Sequence, residues 1–194
     1  MAEGERLTVT NAIFRRLSLR ENPDGWMAVF HRPRWDADDV ALGADPLLIL
    51  LEAVEKPGNL GAILRTADAA HVDAVIVCDP RVDVYSPNVV RASRGTLFTV
   101  PVVELHAPDA LTFLRKRRIK VVAANANAGE DYHRADLRGP IAIALGTEDT
   151  GLSTLWLDQA DIQVRIPMHG RVNSLNVSVA AALLIYEALR QRTS

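Results

Sequence analysis

The chain has 194 residues, 48% of them apolar and 24% charged, with a formal net charge of −2. That length suits one domain with a short extension, large enough to bury roughly 70% of its surface on folding without staples. The charge balance excludes a global basic footprint for nucleic acid, the single cysteine excludes an internal disulfide or a cysteine-built metal cluster, and no run reaches the roughly 18 to 20 apolar residues of a membrane span.

Residues 1–45 read as a short N-terminal extension or linker ahead of a domain over 46–194. The opening MAEGERLTVTN is polar and acidic and is no secretory signal. NAIFRRLSLR suits a short helix, GWMAVFHRP a strand, and RWDADDVALGADP an Asp-rich linker with turn chemistry. From residue 46, short Val/Ile/Leu-rich runs recur: PLLILLEAV (46–54), DAVIVCD (73–79), LFTVPVVEL (97–105), KVVAANA (120–126), IAIALG (141–146) and IQVRIPM (162–168). Most lack alternation, as strands buried on both faces of a parallel sheet do. Cys78 falls in one of them as a small core residue, which suits a reducing cytoplasm. Helical stretches separate the runs, at NLGAILRTADAAH, SPNVVRASRG, PDALTFLRKRR, STLWLDQA and SLNVSVAAALLIYEALRQR. Strand alternating with helix predicts an α/β fold with a largely parallel sheet and helices on both faces.

Ligands of open α/β sheets bind beyond the carboxyl ends of the strands, and three polar clusters lie there. In the first, EKPGNLGAILRTADAA, Pro57-Gly58 reads as a turn and Asn59 as the N-cap of a helix starting at Leu60. Leu60, Ile63, Leu64 and Ala67 share the buried face, and Gly61, Arg65 and Asp68 share another. Gly61 admits a close neighbour. The second cluster, ALGTEDTGLS, has Gly146 and Gly151 but no Walker ending, and Glu148 and Asp149 repel polyphosphate, so a neutral or cationic nucleoside ligand suits it better. The third, IPMHGRVNSLNVS, offers Asn173 or Ser174 as a helix cap. One cap does not account for Asn173, Ser174, Asn176 and Ser178 together, and that density points to a ligand or to a turn whose backbone must be satisfied. The five histidines are scattered, and His169 reads as a loop residue.

In this order, NLGAILRTADA, LGTEDTGLS and IPMHGRVNSLNVSVAAALLIYE resemble the three signature motifs of the SpoU/TrmH family of RNA 2′-O-ribose methyltransferases, within the SPOUT superfamily. The resemblance spans roughly residues 46 to 191. It implies a SPOUT-type α/β sheet whose C-terminal part forms a deep trefoil knot, and S-adenosylmethionine held in a bent shape by Leu145, Gly146, Ile166, Met168, Ser174 and Leu175. It implies a catalytic set of Arg65, Asn59, Glu148, Ser174 and Asn176 acting on a ribose 2′-hydroxyl of tRNA or rRNA. It also implies a homodimer, with Ala180, Ala181 and Ala182 permitting close approach, and chemistry that needs no metal. A free arginine is a poor base, so Arg65 is expected to orient the target phosphate and stabilise negative charge on the 2′-oxygen.

Many members of that family carry an N-terminal RNA-binding domain of ribosomal-protein-like fold, whereas 45 residues precede the first strand here, and LSLRENPDGWMAVFHRP resembles the junction after such a domain. RNA contacts then fall to local patches: Arg15 and Arg16, HRPR (31–34), Arg81, Arg91, Arg94 and RKRR (115–118). The alternative reading is a knotted RNA-binding or assembly module that does not methylate.

Overall fold

The computed structural model describes residues 5–33 and 35–193. Seven strands are present among them: β1 (Leu47–Glu52), β2 (Ala74–Cys78), β3 (Val102–Leu105), β4 (Lys120–Ala124), β5 (Glu130–Asp131), β6 (Ile141–Leu145) and β7 (Ile162–Arg165). They form one sheet in the order β3-β2-β1-β6-β4-β7-β5, and every neighbouring pair is parallel. β6 follows β4 in sequence yet lies between β1 and β4, and β7 then joins the far side of β4.

The unbroken apolar runs are explained by what covers the sheet. Leu47, Ile49, Leu51, Val75, Val77, Ile141, Ile143 and Leu145 point to one face, where they meet α2 (Pro57–Ala69), α3 (Pro87–Ser93) and α6 (Val177–Arg192). Leu48, Leu50, Ala74, Ile76, Cys78, Ala142 and Ala144 point to the other, against α4 (Ala107–Lys116) and α5 (Thr154–Asp158), which contributes the fully buried Trp156. Successive side chains of a strand alternate between faces, so a strand covered on both sides needs apolar residues throughout. Each fully buried Leu or Ile contributes about 1.5–3 kcal/mol. Burial also pushes the Cys78 thiol up to about 12, which keeps it protonated.

Several local expectations change. The run 97–105 splits: Thr96–Phe98 is a turn of 3-10 helix and the strand begins only at Val102. Pro101 lacks an N–H for the ladder and lends only its carbonyl, which accepts from Val75 N at 2.9 Å. In the run 162–168 the strand stops at Arg165, two residues before Pro167. α2 begins at Pro57, a first-turn proline with φ preset for the helix, so Asn59 lies inside the first turn rather than at the cap. The N-cap of α6 is Asn176, not Asn173 or Ser174, and its side chain accepts from Ser178 N at 3.0 Å. β5 is a strand of two polar residues with no apolar signal to announce it.

The chain divides into two units, residues 1–32 and 33–194. In the larger, Val40 is buried, and Trp35, Ala37 and Leu42 pack on the α4–α5 face. The smaller holds α1 (Asn11–Leu17), whose cap residue Thr10 accepts from Ile13 N at 3.4 Å. The strand expected in GWMAVFHRP is absent: it has no β partner among the described residues, and Trp26, Val29 and Phe30 are 88%, 92% and 80% exposed. Without a neighbouring strand nothing fixes an extended backbone.

Candidate functional site

The carboxyl ends of β6, β4 and β7 open onto a cleft of about 630 Å³, within the size range of small-molecule sites. Leu145 ends β6, and Gly146 follows it into the loop Thr147–Gly151 that forms one wall. Gly146 is required there. A Cβ on it would stand 2.0 Å from the Gly151 carbonyl oxygen and 2.3 Å from Leu152 N. The loop is pinned by a Thr147 Oγ1–Thr150 Oγ1 hydrogen bond of 2.8 Å and by reciprocal backbone bonds between Thr147 and Gly151, with Gly151 in the left-handed region at φ 69°. Ile166 and Met168, beyond β7, and Ser174 and Leu175, before α6, line the same cleft. The six residues assigned to a cofactor therefore line a single cleft.

Glu148 is the meeting point of a polar network at the rim. Its Oε1 accepts from Asn59 Nδ2 at 2.9 Å and from Asn176 Nδ2 at 2.8 Å. Asn176 Nδ2 also lies 3.0 Å from Asn59 Oδ1. Glu148 Oε2 accepts from Lys56 Nζ at 2.5 Å. The hydrogen bond from Lys56, then that from Asn59, holds the Glu148 carboxyl below its ordinary 4.5, and Glu148 in turn raises the Lys56 ammonium above 10.5. Three elements distant in sequence are tied at one carboxylate: the start of α2, the loop after β6 and the cap of α6. A second, smaller pocket beside the network is lined by Glu52, Lys56, Asn59 and Glu148.

Of the five residues assigned to catalysis, Asn59, Glu148 and Asn176 are directly bonded to one another, and Ser174 stands on the cleft wall. Arg65 is apart. It is exposed on α2, its side chain is bonded to no described residue, and it lines neither pocket. The neighbour that Gly61 admits is α3, since a Cβ there would lie 2.4 Å from Ala92 Cβ. The three alanines of α6 also diverge: Ala181 is buried against the sheet, Ala180 lines the cleft, and Ala182 faces an outer groove with Tyr132, Val179, Leu183 and Tyr186. His169 is an exposed loop residue.

Sequence reasoning passed over Lys56, Asn125 and Asn127. Lys56 gives no local signal because its partner is 92 positions away. Asn125 and Asn127 line the cleft just past β4, where Asn125 Nδ2 donates to Gln163 Oε1 at 3.0 Å and Asn125 Oδ1 accepts from Asn127 N. Polar residues directly after an apolar parallel strand were the available cue. Among the described residues, no group of three or more His, Cys, Asp or Glu side chains is placed to hold a metal ion, and no helix is long and apolar enough to cross a membrane.

The profile of the SpoU rRNA Methylase family matches residues 46–186. A 23S rRNA (uridine(2479)-2′-O)-methyltransferase from Streptomyces viridochromogenes is 36% identical over 180 residues, covering 90% of this chain and 63% of that protein. A 23S rRNA (guanosine(2553)-2′-O)-methyltransferase from Bacillus subtilis is 33% identical over 173 residues, covering 89% of this chain and 68% of that protein. Among solved structures, an AdoMet-bound rRNA methyltransferase from Sinorhizobium meliloti is similar with a TM-score of 0.87 at 30% identity, over 93% of this chain and 70% of that one. A SpoU methyltransferase from Streptomyces viridochromogenes in complex with the cofactor AdoMet has a TM-score of 0.79 at 36% identity, over 83% of this chain and 66% of that one. The chain thus spans less than two-thirds of the length of the first of these relatives. The matched region takes in all seven strands, the cleft and its polar rim, and the chain belongs to the SpoU rRNA Methylase family.

Proposed function

We propose that this protein transfers a methyl group from S-adenosylmethionine to a ribose 2′-hydroxyl of ribosomal or transfer RNA. The observation that carries this reading is the convergence of Leu145, Gly146, Ile166, Met168, Ser174 and Leu175 on one cleft whose rim is the Asn59–Glu148–Asn176 network. The cleft suits the cofactor in size, in its apolar walls, and in the acidic Glu148 and Asp149 beside it, which favour a cation over a polyphosphate. S-adenosylmethionine, when bound, supplies a methyl group on a positively charged sulfur, and its transfer to the 2′-oxygen releases a neutral thioether and the hydroxyl proton.

The protein's own residues bind and orient. Leu145, Ile166 and Leu175 exclude water from the cofactor, and the loop Thr147–Gly151 presents backbone groups to it. Glu148, held ionised by Lys56 and Asn59, fixes that loop against α2 and α6. Arg65 approaches the target nucleotide's phosphate and stabilises charge developing on the 2′-oxygen.

The same reading includes a trefoil knot, with the chain after β7 threaded through the loop that carries β6, and it is supported by β6 lying between β1 and β4. It includes a homodimer, supported by the exposed Val179, Leu183 and Tyr186 at helical spacing on α6. Residues 46–194 act as the methyltransferase domain, 1–45 are a short N-terminal extension or linker to it, and the protein works in the cytoplasm without a metal.

The test pairs calorimetry with S-adenosylmethionine and methylation of 23S rRNA, for the parent and for Arg65→Ala. The variant is expected to bind the cofactor as the parent does and to lose methyl transfer. Full activity in Arg65→Ala removes the assigned role. A parent that binds RNA but not the cofactor is a binding module instead.

A further inference from the structure

Most basic residues singled out for RNA contact in the larger unit are already engaged. Arg81 pairs with Glu55, Arg115 with Asp161 at 2.7 Å, and Lys116 and Arg117 reach Asp38 at 3.8 and 3.9 Å. Arg91 donates to Asn88 Oδ1 at 3.1 Å, and Arg34 lies outside the described residues. Arg118 adjoins the amino end of β4, away from the cleft. Arg94 remains, exposed and bonded through its side chain to no described residue, as Arg65 is.

Both arginines border the seam where α2 packs on α3. One turn before Arg65, a Cβ at Gly61 would lie 2.4 Å from Ala92 Cβ and 2.8 Å from Ser93 N. One turn after it, Asp68 accepts from Thr99 Oγ1 at 2.9 Å. Residues 92–99 therefore run beside α2 in the same direction, and Arg94 lies between these two contacts along its segment as Arg65 does along α2. The Thr99 contact also occupies the carboxylate that three-residue spacing offers to Arg65. Arg94 itself closes α3 in the left-handed region, at φ 52°, followed by Gly95 at φ 96°. Glycine suits such a position better than any L side chain, so the backbone there tolerates removal of the arginine side chain.

We infer that Arg94 and Arg65 form a clamp for the RNA phosphate backbone along the α2–α3 seam, with Arg94 as a positioning residue for the substrate. Guanidinium groups without carboxylate partners suit phosphodiesters. The clamp carries no base readout, so it sets where the strand lies and not which sequence is chosen. The inference rests on the RNA methyltransferase reading above and assigns part of its RNA surface.

The test is RNA affinity measured by anisotropy on a labelled 23S rRNA fragment across a salt series. Arg94→Gly removes the charge and suits the left-handed turn, so strain does not confuse the result. Arg94→Lys restores the charge, and Arg81→Gln is the control. Arg94→Gly is expected to bind several-fold more weakly, with the slope of log affinity against log salt reduced by about 0.7–0.9. Arg94→Lys should keep the parent slope, and Arg81→Gln should keep both slope and affinity. Equal slopes for parent and Arg94→Gly overturn the clamp, as does a parent whose RNA binding ignores salt. Loss of S-adenosylmethionine binding in Arg94→Gly also overturns it, since the effect would then be on the fold. A parent that shows the Arg94-dependent slope but transfers no methyl group retains the clamp and refutes the methyltransferase reading.

Discussion

Asn176 and Asn59 are 117 positions apart in sequence, and their side-chain amides meet at 3.0 Å. Asn176 has two tasks at once: Oδ1 caps α6 by accepting from Ser178 N, and Nδ2 donates to Asn59 and to Glu148. The substitution Asn176→Asp separates them. It keeps the capping oxygen, removes the donor, and sets a second carboxylate against Glu148. Helix content should be retained, while affinity for S-adenosylmethionine falls at pH 7 and partly recovers under mild acid, when one carboxyl is protonated. Calorimetry at two pH values, with circular dichroism, checks this. Asn176→Ala should lose about 1 kcal/mol of stability for the missing cap alone.

The Lys56–Glu148 pair has a defined pH window. Glu148 titrates below its ordinary 4.5, so its contribution is present above that value and is lost as pH falls through the depressed folded value. Lys56 titrates above 10.5, so its contribution is present below that value and is lost as pH rises through the raised one. The difference in melting temperature between parent and Glu148→Gln should be flat between these limits and shrink outside both. Because Lys56 is exposed, the flat part should be small.

Two glycines admit no side chain, for different neighbours. Gly61→Ala drives a methyl into α3, at 2.6 Å from the Ala92 carbonyl carbon, and should destabilise the fold by about 1–3 kcal/mol in urea unfolding. Gly146→Ala strikes the loop after β6 instead. There the expected loss is in cofactor affinity, at least tenfold by calorimetry, with a smaller change in stability.

At the other end of α6, Arg192 reaches the carbonyls of Asp45, at 2.6 Å, and of Gly139, just before the starts of β1 and β6. Arg192→Ala should cost about 1–3 kcal/mol, chiefly by leaving the partly buried Gly139 carbonyl unsatisfied. Cofactor affinity should not change, because the cleft is at the opposite ends of these strands. Urea unfolding paired with calorimetry decides.

The central strands were legible because LLILL, AVIVC and IAIAL are buried on both sides, and only unbroken apolar residues allow that. The polar clusters were legible for the complementary reason: they interrupt apolar segments where a parallel sheet opens. What escaped depends on partners far along the chain. Asn59 looks like a cap until Glu148, 89 positions away, is seen to occupy it. Lys56 is silent without the same carboxylate. Pro101 and Pro167 shortened two strands whose apolar runs promised more. GWMAVFHRP has the composition of a strand, but composition does not supply a neighbour.

The rim also constrains how the protein is made. Asn59 emerges early in synthesis and Glu148 before the last strand, but Asn176 and the whole of α6 follow every strand of the sheet. A nascent chain can thus assemble β1 to β7 while the Glu148 carboxylate still lacks one of its donors and the cleft lacks a wall. Competence at this site is conferred last, by the segment from Ser174 onward, and a message cut short within it would yield a nearly complete sheet with no working pocket.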